Sequence, residues 1–126
     1  MFDEADVIYS YTRAQAIADG VLVDVTETAR ECGFRISVAV TARVWAEVVT
    51  PPENARAAGQ SEAGRLWDVL WMLFVAIKGS TGGKDTLHYE LLVSDGEKQV
   101  TVRLKSVCGP GDEGEPVLTI LMPDED

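Results

Sequence analysis

The chain has 126 residues, of which 46% are hydrophobic and 25% are charged, and 21 acidic against 11 basic side chains give a formal net charge of −10. This length and hydrophobic content predict a single globular domain, residues 1–126, with its own core, and exclude a disordered chain. The negative charge repels phosphates, so it disfavours direct nucleic-acid binding and favours a basic protein surface as partner.

The first predicted element is a short helix. Thr12, or Ser10 two residues earlier, is a suitable N-cap, and Gly20 is a suitable stop. The apolar face of this helix has i, i+3, i+4 spacing and consists of Ala14, Ile17 and Ala18. We therefore expect these three side chains to pack against the rest of the fold.

After Gly20 the pattern changes to strand, helix and strand. The β-branched run 21–25 predicts a short strand. A second helix is predicted from Thr26 to Cys32, with Gly33 as its stop. Residues 34–40 alternate between apolar and polar or small side chains, which predicts a further extended segment.

A third helix is predicted over residues 42–49, with Thr41 as its N-cap and Pro51-Pro52 as its stop. Its apolar face consists of Val44, Trp45 and Val48. Residues 50–60 have the composition of a loop, although residues 53–58 also fit one helical turn.

The longest apolar run, Ser61 to Lys78, predicts the helix around which the fold is organised. Ser61 is a suitable N-cap, and Gly79 suits a left-handed residue just past the last turn. Apolar residues occupy every side of the helical wheel, so we expect the other elements to enclose this helix completely. The run is interrupted by charge and falls short of the roughly 20 apolar residues that a membrane span needs.

Four side chains on this helix carry separate expectations. Trp67 and Trp71 have i, i+4 spacing and are predicted to lie in the core rather than to form a ligand platform. Arg65 and Asp68 have i, i+3 spacing on an apolar helix, so we expect them to pair with each other or with Arg13 or Asp24 of the N-terminal third.

The last third predicts three strands. Residues 87–93 and 99–107 flank an Asp-Gly hairpin turn, and the acidic turn 109–116 leads to a last strand over 117–122. The predicted fold class is therefore α+β: a C-terminal three-stranded antiparallel meander packed on a central apolar helix, with short N-terminal helices and a short strand.

Signals for catalysis or a cofactor are weak. His88 is the only histidine and is expected on a strand surface, sharing one face with Glu90 while Tyr89 points to the other. The Gly-rich connector 79–85 lacks the GxxxxGK[ST] phosphate-loop pattern. Cys32 and Cys108 lack metal-ligand spacing, so two free thiols are expected. We predict no metal, no cofactor and no catalytic residue.

Most of the excess negative charge lies at the two chain ends. Residues 1–10 contain three acids and no base, and residues 106–126 contain six acids and no base. We predict that these nine carboxylates bind the partner: Asp3, Glu4, Asp6, Asp112, Glu113, Glu115, Asp124, Glu125 and Asp126. An acidic surface that only maintains solubility is the alternative.

Three motifs resemble a family of small uncharacterised acidic proteins encoded on bacterial plasmids, integrative elements and phages. The motifs are YTRAQAIADGVLVDVTETARECGF (11–34), GRLWDVLWM (64–72) and GPGDEGEPVLTI (109–120). The similarity spans most of the chain, excluding the 51–60 loop and the 79–87 connector. The resemblance implies no catalytic residues. It implies a role on mobile elements, where small acidic proteins often act against host restriction or CRISPR systems.

Three functions follow as hypotheses. The first is a cytoplasmic antidefence protein, of anti-CRISPR or antirestriction type, that blocks a basic nucleic-acid-handling surface of a host immune complex, with DNA mimicry as one mode. Cytoplasmic location is expected because acidic residues, not a basic segment, follow Met1. The second is a small enzyme or ligand-binding protein with a pocket near Tyr11, Arg13, Asp24 and Arg65. The third is an interaction module for maintenance or transfer of the element.

Overall fold

The chain forms a five-stranded mixed sheet with helices on both faces in the computed structural model, which describes residues 11–80, 82 and 85–126. In chain order the elements are α1 (Arg13–Ala18), β1 (Leu22–Asp24), α2 (Thr26–Cys32), β2 (Ser37–Thr41), α3 (Ala42–Val44) with a π-helical turn (Trp45–Val49), α4 (Glu53–Ala57), α5 (Glu62–Gly79), β3 (Thr86–Ser94), β4 (Gln99–Pro110) and β5 (Pro116–Leu121). The strand order is β1-β2-β5-β4-β3. The α+β class is confirmed.

The sheet joins the two ends of the sequence. β3, β4 and β5 form the predicted antiparallel meander, and β2 adds to β5 in parallel, with Val38 opposite Leu118. β1 then pairs with β2 in antiparallel orientation. On β2, Ala39 is as fully buried as Val38 and Val40, because this interior strand is covered on both faces.

α1 begins as predicted but packs by a different residue. Thr12 and Gln15 form a capping box at its start, whereas Ser10 lies outside the described residues. The predicted apolar face is wrong, because Ala16 is the buried side chain of this helix. The exposed side chains include all three predicted ones, Ala14, Ile17 and Ala18. Hydrogen bonds at the first turn orient the helix, and its apolar pattern does not.

α2 has the predicted bounds and the predicted stop. Gly33 has φ of 116° and ends the helix in the left-handed region, where glycine is favoured. A Cβ at this position would also lie 2.9 Å from the Phe74 ring. The same ring meets Phe34 edge to face at a centroid distance of 5.6 Å, so this turn packs directly on α5.

The third helix is capped as predicted but changes its winding. Thr41 Oγ1 accepts a hydrogen bond from the Val44 backbone N–H. From Trp45 to Val49 the turn is π-helical, a rare winding. The Val48 carbonyl has no N–H three or four residues on, because Pro51 and Pro52 occupy those positions. This carbonyl accepts from Arg65 Nη1 at 3.0 Å.

α5 packs on the sheet and on α2, but it is not enclosed. Leu66, Val69, Leu70 and Leu73 are buried, whereas Trp67 and Trp71 are 38% and 43% exposed. The prediction that both tryptophans lie in the core is therefore wrong. A helix on one face of an open sheet can be covered on one side only, so its outer apolar residues face solvent.

The two ends of α5 differ in how well they were predicted. Ser61 caps the start by accepting from the Gly64 N–H, as expected. Gly79 is the last helical residue instead of a left-handed stop, and Ser80 follows with φ of −81°. Among the helices of residues 11–80, 82 and 85–126, none is long and apolar enough to cross a membrane.

The buried Arg65 guanidinium binds backbone oxygens and not a carboxylate. It donates to the carbonyls of Val48 and Ser94, so it ties α5 to the π-helical turn and to the β3–β4 hairpin. Burial lowers the pKa of Arg65, and burial of Asp68 raises the pKa of its carboxyl group. The predicted pairing of Arg65 with Asp68 or with the N-terminal third is therefore wrong.

The meander presents two distinct faces. On β3, Tyr89 is buried and donates its hydroxyl to the Val69 carbonyl at 3.0 Å, whereas His88 and Glu90 are exposed on the other face. Glu90 lies 3.2 Å from the Arg103 guanidinium across the β3–β4 pair. The predicted placement of His88 on the strand surface is confirmed.

Candidate partner-binding groove

α1 lies on the sheet face opposite α5. Successive β5 side chains alternate between faces: Leu118 and Ile120 point into the core beneath α5, and Thr119 points the other way. Arg13 Nη1 donates to Thr119 Oγ1 and Arg13 Nη2 donates to the Leu118 carbonyl, both at 2.7 Å. These bonds fix α1 to the sheet by its first residue.

The β4–β5 turn holds α1 from the other side. The two carboxylate oxygens of Asp112 accept hydrogen bonds from the backbone N–H groups of Arg13, at 2.7 Å, and Ala14, at 3.0 Å. Free N–H groups at a helix start are satisfied best by a negative oxygen, so this carboxylate acts as a cap supplied from 99 residues away. Asp112 therefore has a structural function.

A groove of about 690 Å³ opens between α1, the start of α2 and this turn. Five carboxylates and two guanidinium groups line it, giving a local net charge of −3: Asp24, Glu27, Asp112, Glu113 and Glu115 with Arg13 and Arg30. Acids from two separate parts of the chain, residues 24–27 and the β4–β5 turn, thus meet at one surface depression.

The Arg13 guanidinium lies within this acidic surface. Partial burial lowers its pKa, and the nearby carboxylates of Asp24, Asp112 and Glu115 oppose that change. Its two hydrogen-bonding nitrogens are directed to a hydroxyl and a carbonyl, so the groove carboxylates are not consumed by bonds from this arginine.

Within the turn, the carboxylates of Glu115 and Glu113 differ in position. The Gly111 N–H donates to the Glu115 carbonyl at 2.6 Å, and the Glu115 carboxylate folds over Gly111, where a Cβ would overlap it. Glu113 is exposed, and its backbone N–H is 3.4 Å from Glu115 Oε1. Glu113 is thus the outermost charge of the turn, with Glu115 beside it.

The C-terminal carboxylates lie on the opposite side of α1. A second groove, of about 680 Å³, is lined there by Glu125 and Asp126 together with Tyr11 and Asp19. Glu125 accepts from the Thr41 hydroxyl at 2.8 Å and from the Met122 N–H at 2.7 Å.

Asp124 is also engaged within the chain. Its carboxylate lies 2.7 Å from the Arg43 guanidinium, which also contacts Glu47 at 2.5 Å. The hydrogen bond from Arg43 lowers the pKa of Asp124. The predicted partner-binding set is therefore split between two grooves and partly used by internal contacts, while Asp3, Glu4 and Asp6 lie outside the described residues.

The alternative small-molecule pocket is not formed by its four predicted residues. Arg13 and Asp24 line the acidic groove, Tyr11 lines the second groove, and Arg65 is a buried residue of α5. The Tyr11 hydroxyl donates to Asp19 at 2.7 Å, and this bond raises the pKa of the phenol. The four side chains do not converge.

Sequence reasoning missed Asp24 as an acidic-groove residue and missed Glu27 altogether. Both lie near Arg30, and the middle of the sequence is nearly neutral, so no local charge excess marked them. The available signal was their position around the start of a helix that follows a short strand. Only the parallel pairing of β2 with β5 brings them to the β4–β5 turn.

Metal binding and thiol reactivity depend on where the His, Cys, Asp and Glu side chains of the described residues lie. Within the described ranges, no three His, Cys, Asp or Glu side chains are placed to hold one metal ion. Cys32 is buried and Cys108 half-buried, and both are free thiols. Burial raises the pKa of Cys32, which keeps it in the unreactive protonated form.

The comparisons with known proteins place the chain in a family and do not supply a function. Neither a curated protein nor a solved structure shows significant similarity to it. The model of one family, described as a family of unknown function (DUF6573), matches residues 1–126, the whole of the chain. The chain therefore belongs to the DUF6573 family.

Proposed function

We propose that this protein is a non-enzymatic antidefence protein, encoded on a mobile element, that acts in the cytoplasm. It binds a basic, nucleic-acid-handling surface of a host immune complex of CRISPR or restriction type and blocks it. The single observation that carries the proposal is the acidic groove, where the β4–β5 turn meets Asp24 and Glu27 beside α1. The origin on plasmids, integrative elements or phages rests on the resemblance of the three sequence motifs.

The proposed contact uses exposed charges of the groove. Glu113, Glu115 and Glu27 provide the outer carboxylates of the groove. Arginine and lysine side chains of a surface that normally holds phosphates would meet these carboxylates in place of the nucleic-acid backbone. The overall charge of −10 adds long-range attraction to such a surface and accelerates encounter.

The test measures survival and binding together. The protein is expressed in bacterial strains that each carry one defined CRISPR or restriction system, and survival of a targeted phage or plasmid is scored. We expect rescue in at least one strain. The double variant Glu113→Gln/Glu115→Gln should lose rescue, and its affinity for the purified immune complex should fall by roughly 2–30-fold, because exposed ion pairs contribute about 0.2–1 kcal/mol each.

A charge-matched control separates the groove from net charge. The variant Glu53→Gln/Glu97→Gln removes two exposed carboxylates on α4 and on the β3–β4 hairpin and should retain rescue and affinity. Binding of the wild type should weaken as salt rises from 50 to 500 mM, since salt screens exposed charges. Binding that is independent of salt, or lost equally in both double variants, would refute the role of the groove.

A further inference from the structure

The outer face of α5 is an apolar stripe with a stacked aromatic row. The Trp67 and Trp71 rings lie 6.4 Å apart with an interplanar angle of 9°, and Trp71 stacks on Phe74 at 5.6 Å and 14°. Met72 and Val75 are also exposed. Together these side chains form one contiguous exposed apolar face on a single helix.

The spacing of this stripe is that of a helix-pairing seam. Asp68, Trp71, Val75 and Lys78 follow one another at intervals of 3, 4 and 3 residues, the a/d alternation by which one helix packs along another. The two central positions are apolar, and the two end positions carry opposite charges. Lys78 keeps its ammonium group over the Phe74 ring at 5.3 Å, beside the seam.

The charges at the seam ends specify how a second copy would lie. If two copies of α5 pair antiparallel about the level of Leu73, Trp71 of each copy packs on Val75 of the other, and Asp68 of each copy meets Lys78 of the other. Parallel pairing would instead place Asp68 on Asp68 and Lys78 on Lys78. The seam is thus self-complementary in one orientation only, as a two-fold interface requires.

We infer that this face of α5 is the contact surface between two copies of the chain, paired antiparallel through Trp71 and Val75. A nucleic-acid strand, the other ligand that stacks on aromatic rows, needs a positive surface, and this chain carries −10. None of the residues that line the acidic groove belongs to α5, so the inference is independent of the proposed function. A standard stable interface buries about 800 Å² per partner, more than one exposed helix face supplies, so we expect a weak dimer.

The experiment is sedimentation equilibrium of the full chain from 1 to 500 µM. We expect the wild type to dimerise, and Trp71→Glu to raise the dissociation constant at least tenfold. Leu92→Glu is the matched control, because Leu92 is an exposed apolar side chain, 58% accessible, on β3 and away from α5's outer face. Thermal unfolding of each variant verifies that the fold is retained.

A charge exchange tests the orientation. Asp68→Lys and Lys78→Asp should each raise the dissociation constant about fivefold or more, because each places like charges together, and the double variant should restore it. A monomeric wild type at 500 µM would overturn the inference, as would equal loss in Leu92→Glu. Failure of the double variant to recover would overturn the antiparallel pairing. If the wild type stays monomeric and binds phosphatidylcholine–phosphatidylglycerol vesicles through Trp71, the dimer inference is overturned. The partner of this face would then be a lipid surface.

Discussion

The contact that most directly links the acidic turn to the fold is the cap that Asp112 provides for α1. Asp112→Ala removes both acceptors of the Arg13 and Ala14 N–H groups, which are 2.7 and 3.0 Å from the carboxylate. The helix has only six residues, so it cannot compensate by lengthening elsewhere. Loss of a capping acceptor costs about 0.5–2 kcal/mol, and the negative charge places this residue in the upper half of that range.

The assay is urea unfolding at pH 7, followed by far-ultraviolet circular dichroism. We expect Asp112→Ala to lower the free energy of unfolding by about 1–2 kcal/mol, which corresponds to about 3–8 °C in Tm for a chain of this size. Asp112→Asn keeps one acceptor and should lose about half as much.

The neighbouring carboxylate supplies the control. Glu113→Ala removes the same charge from the same turn without removing a cap, and it should change the free energy of unfolding by less than about 0.5 kcal/mol. If Asp112→Ala and Glu113→Ala were equally stable, the cap would contribute nothing and the anchoring of α1 by the turn would be refuted. The pair also separates folding from binding, because Glu113 is expected to matter for the partner alone.

Three further predictions concern the hairpin and α5. Gly96→Ala should lower the free energy of unfolding in urea by about 2–4 kcal/mol, because φ is +102° and a Cβ would lie 2.9 Å from the Asn54 backbone. The control Gly114→Ala, where φ is +84° and no atom lies close, should lower it by about 1 kcal/mol. Equal losses in the two variants would contradict the close approach at Gly96. Hydrogen bonds from the Lys98 and Glu97 N–H groups lower the pKa of Asp95, so its ionised form stabilises the fold above about pH 4 and this contribution is lost as pH falls further. The difference in free energy of unfolding between wild type and Asp95→Asn should therefore be present at pH 7 and shrink toward pH 3. A difference that does not change with pH would exclude this role of the Asp95 carboxylate. Arg65→Met leaves two backbone carbonyls without donors and should destabilise by about 1–3 kcal/mol, measured by thermal unfolding; unchanged Tm would show that burying the charge offsets both bonds.

Local chemistry was sufficient to predict most of the elements. Thr12, Thr41 and Ser61 each cap a helix, because a hydroxyl just before a helix accepts a hydrogen bond from a backbone N–H of the first turn. Gly33 ends α2 in the left-handed region, and the Asp-Gly pair forms the β3–β4 turn, for similarly local reasons. The α+β class followed from these elements together with alternation in the last strands.

The candidate site was only half predictable. The acidic turn was visible as charge in the sequence, but its contact with α1 and its place in one groove with Asp24 depend on a parallel strand pair between residues far apart in the chain. No periodicity encodes which strand a distant strand will pair with. For this reason neither the cap that Asp112 provides for α1 nor the place of Glu27 in the groove was predicted.

What the sequence determined by itself was therefore local: where helices start and stop, which strand positions share a face, and that negative charge is concentrated near the ends. Only the tertiary structure decided that one side of α5 stays open, so that Trp67 and Trp71 face solvent, and that acids from two distant segments share one groove. The physical reason is that hydrophobicity and charge are properties of single residues. Burial and electrostatic potential depend on which other elements lie nearby, and those neighbours are set by long-range strand pairing and helix packing.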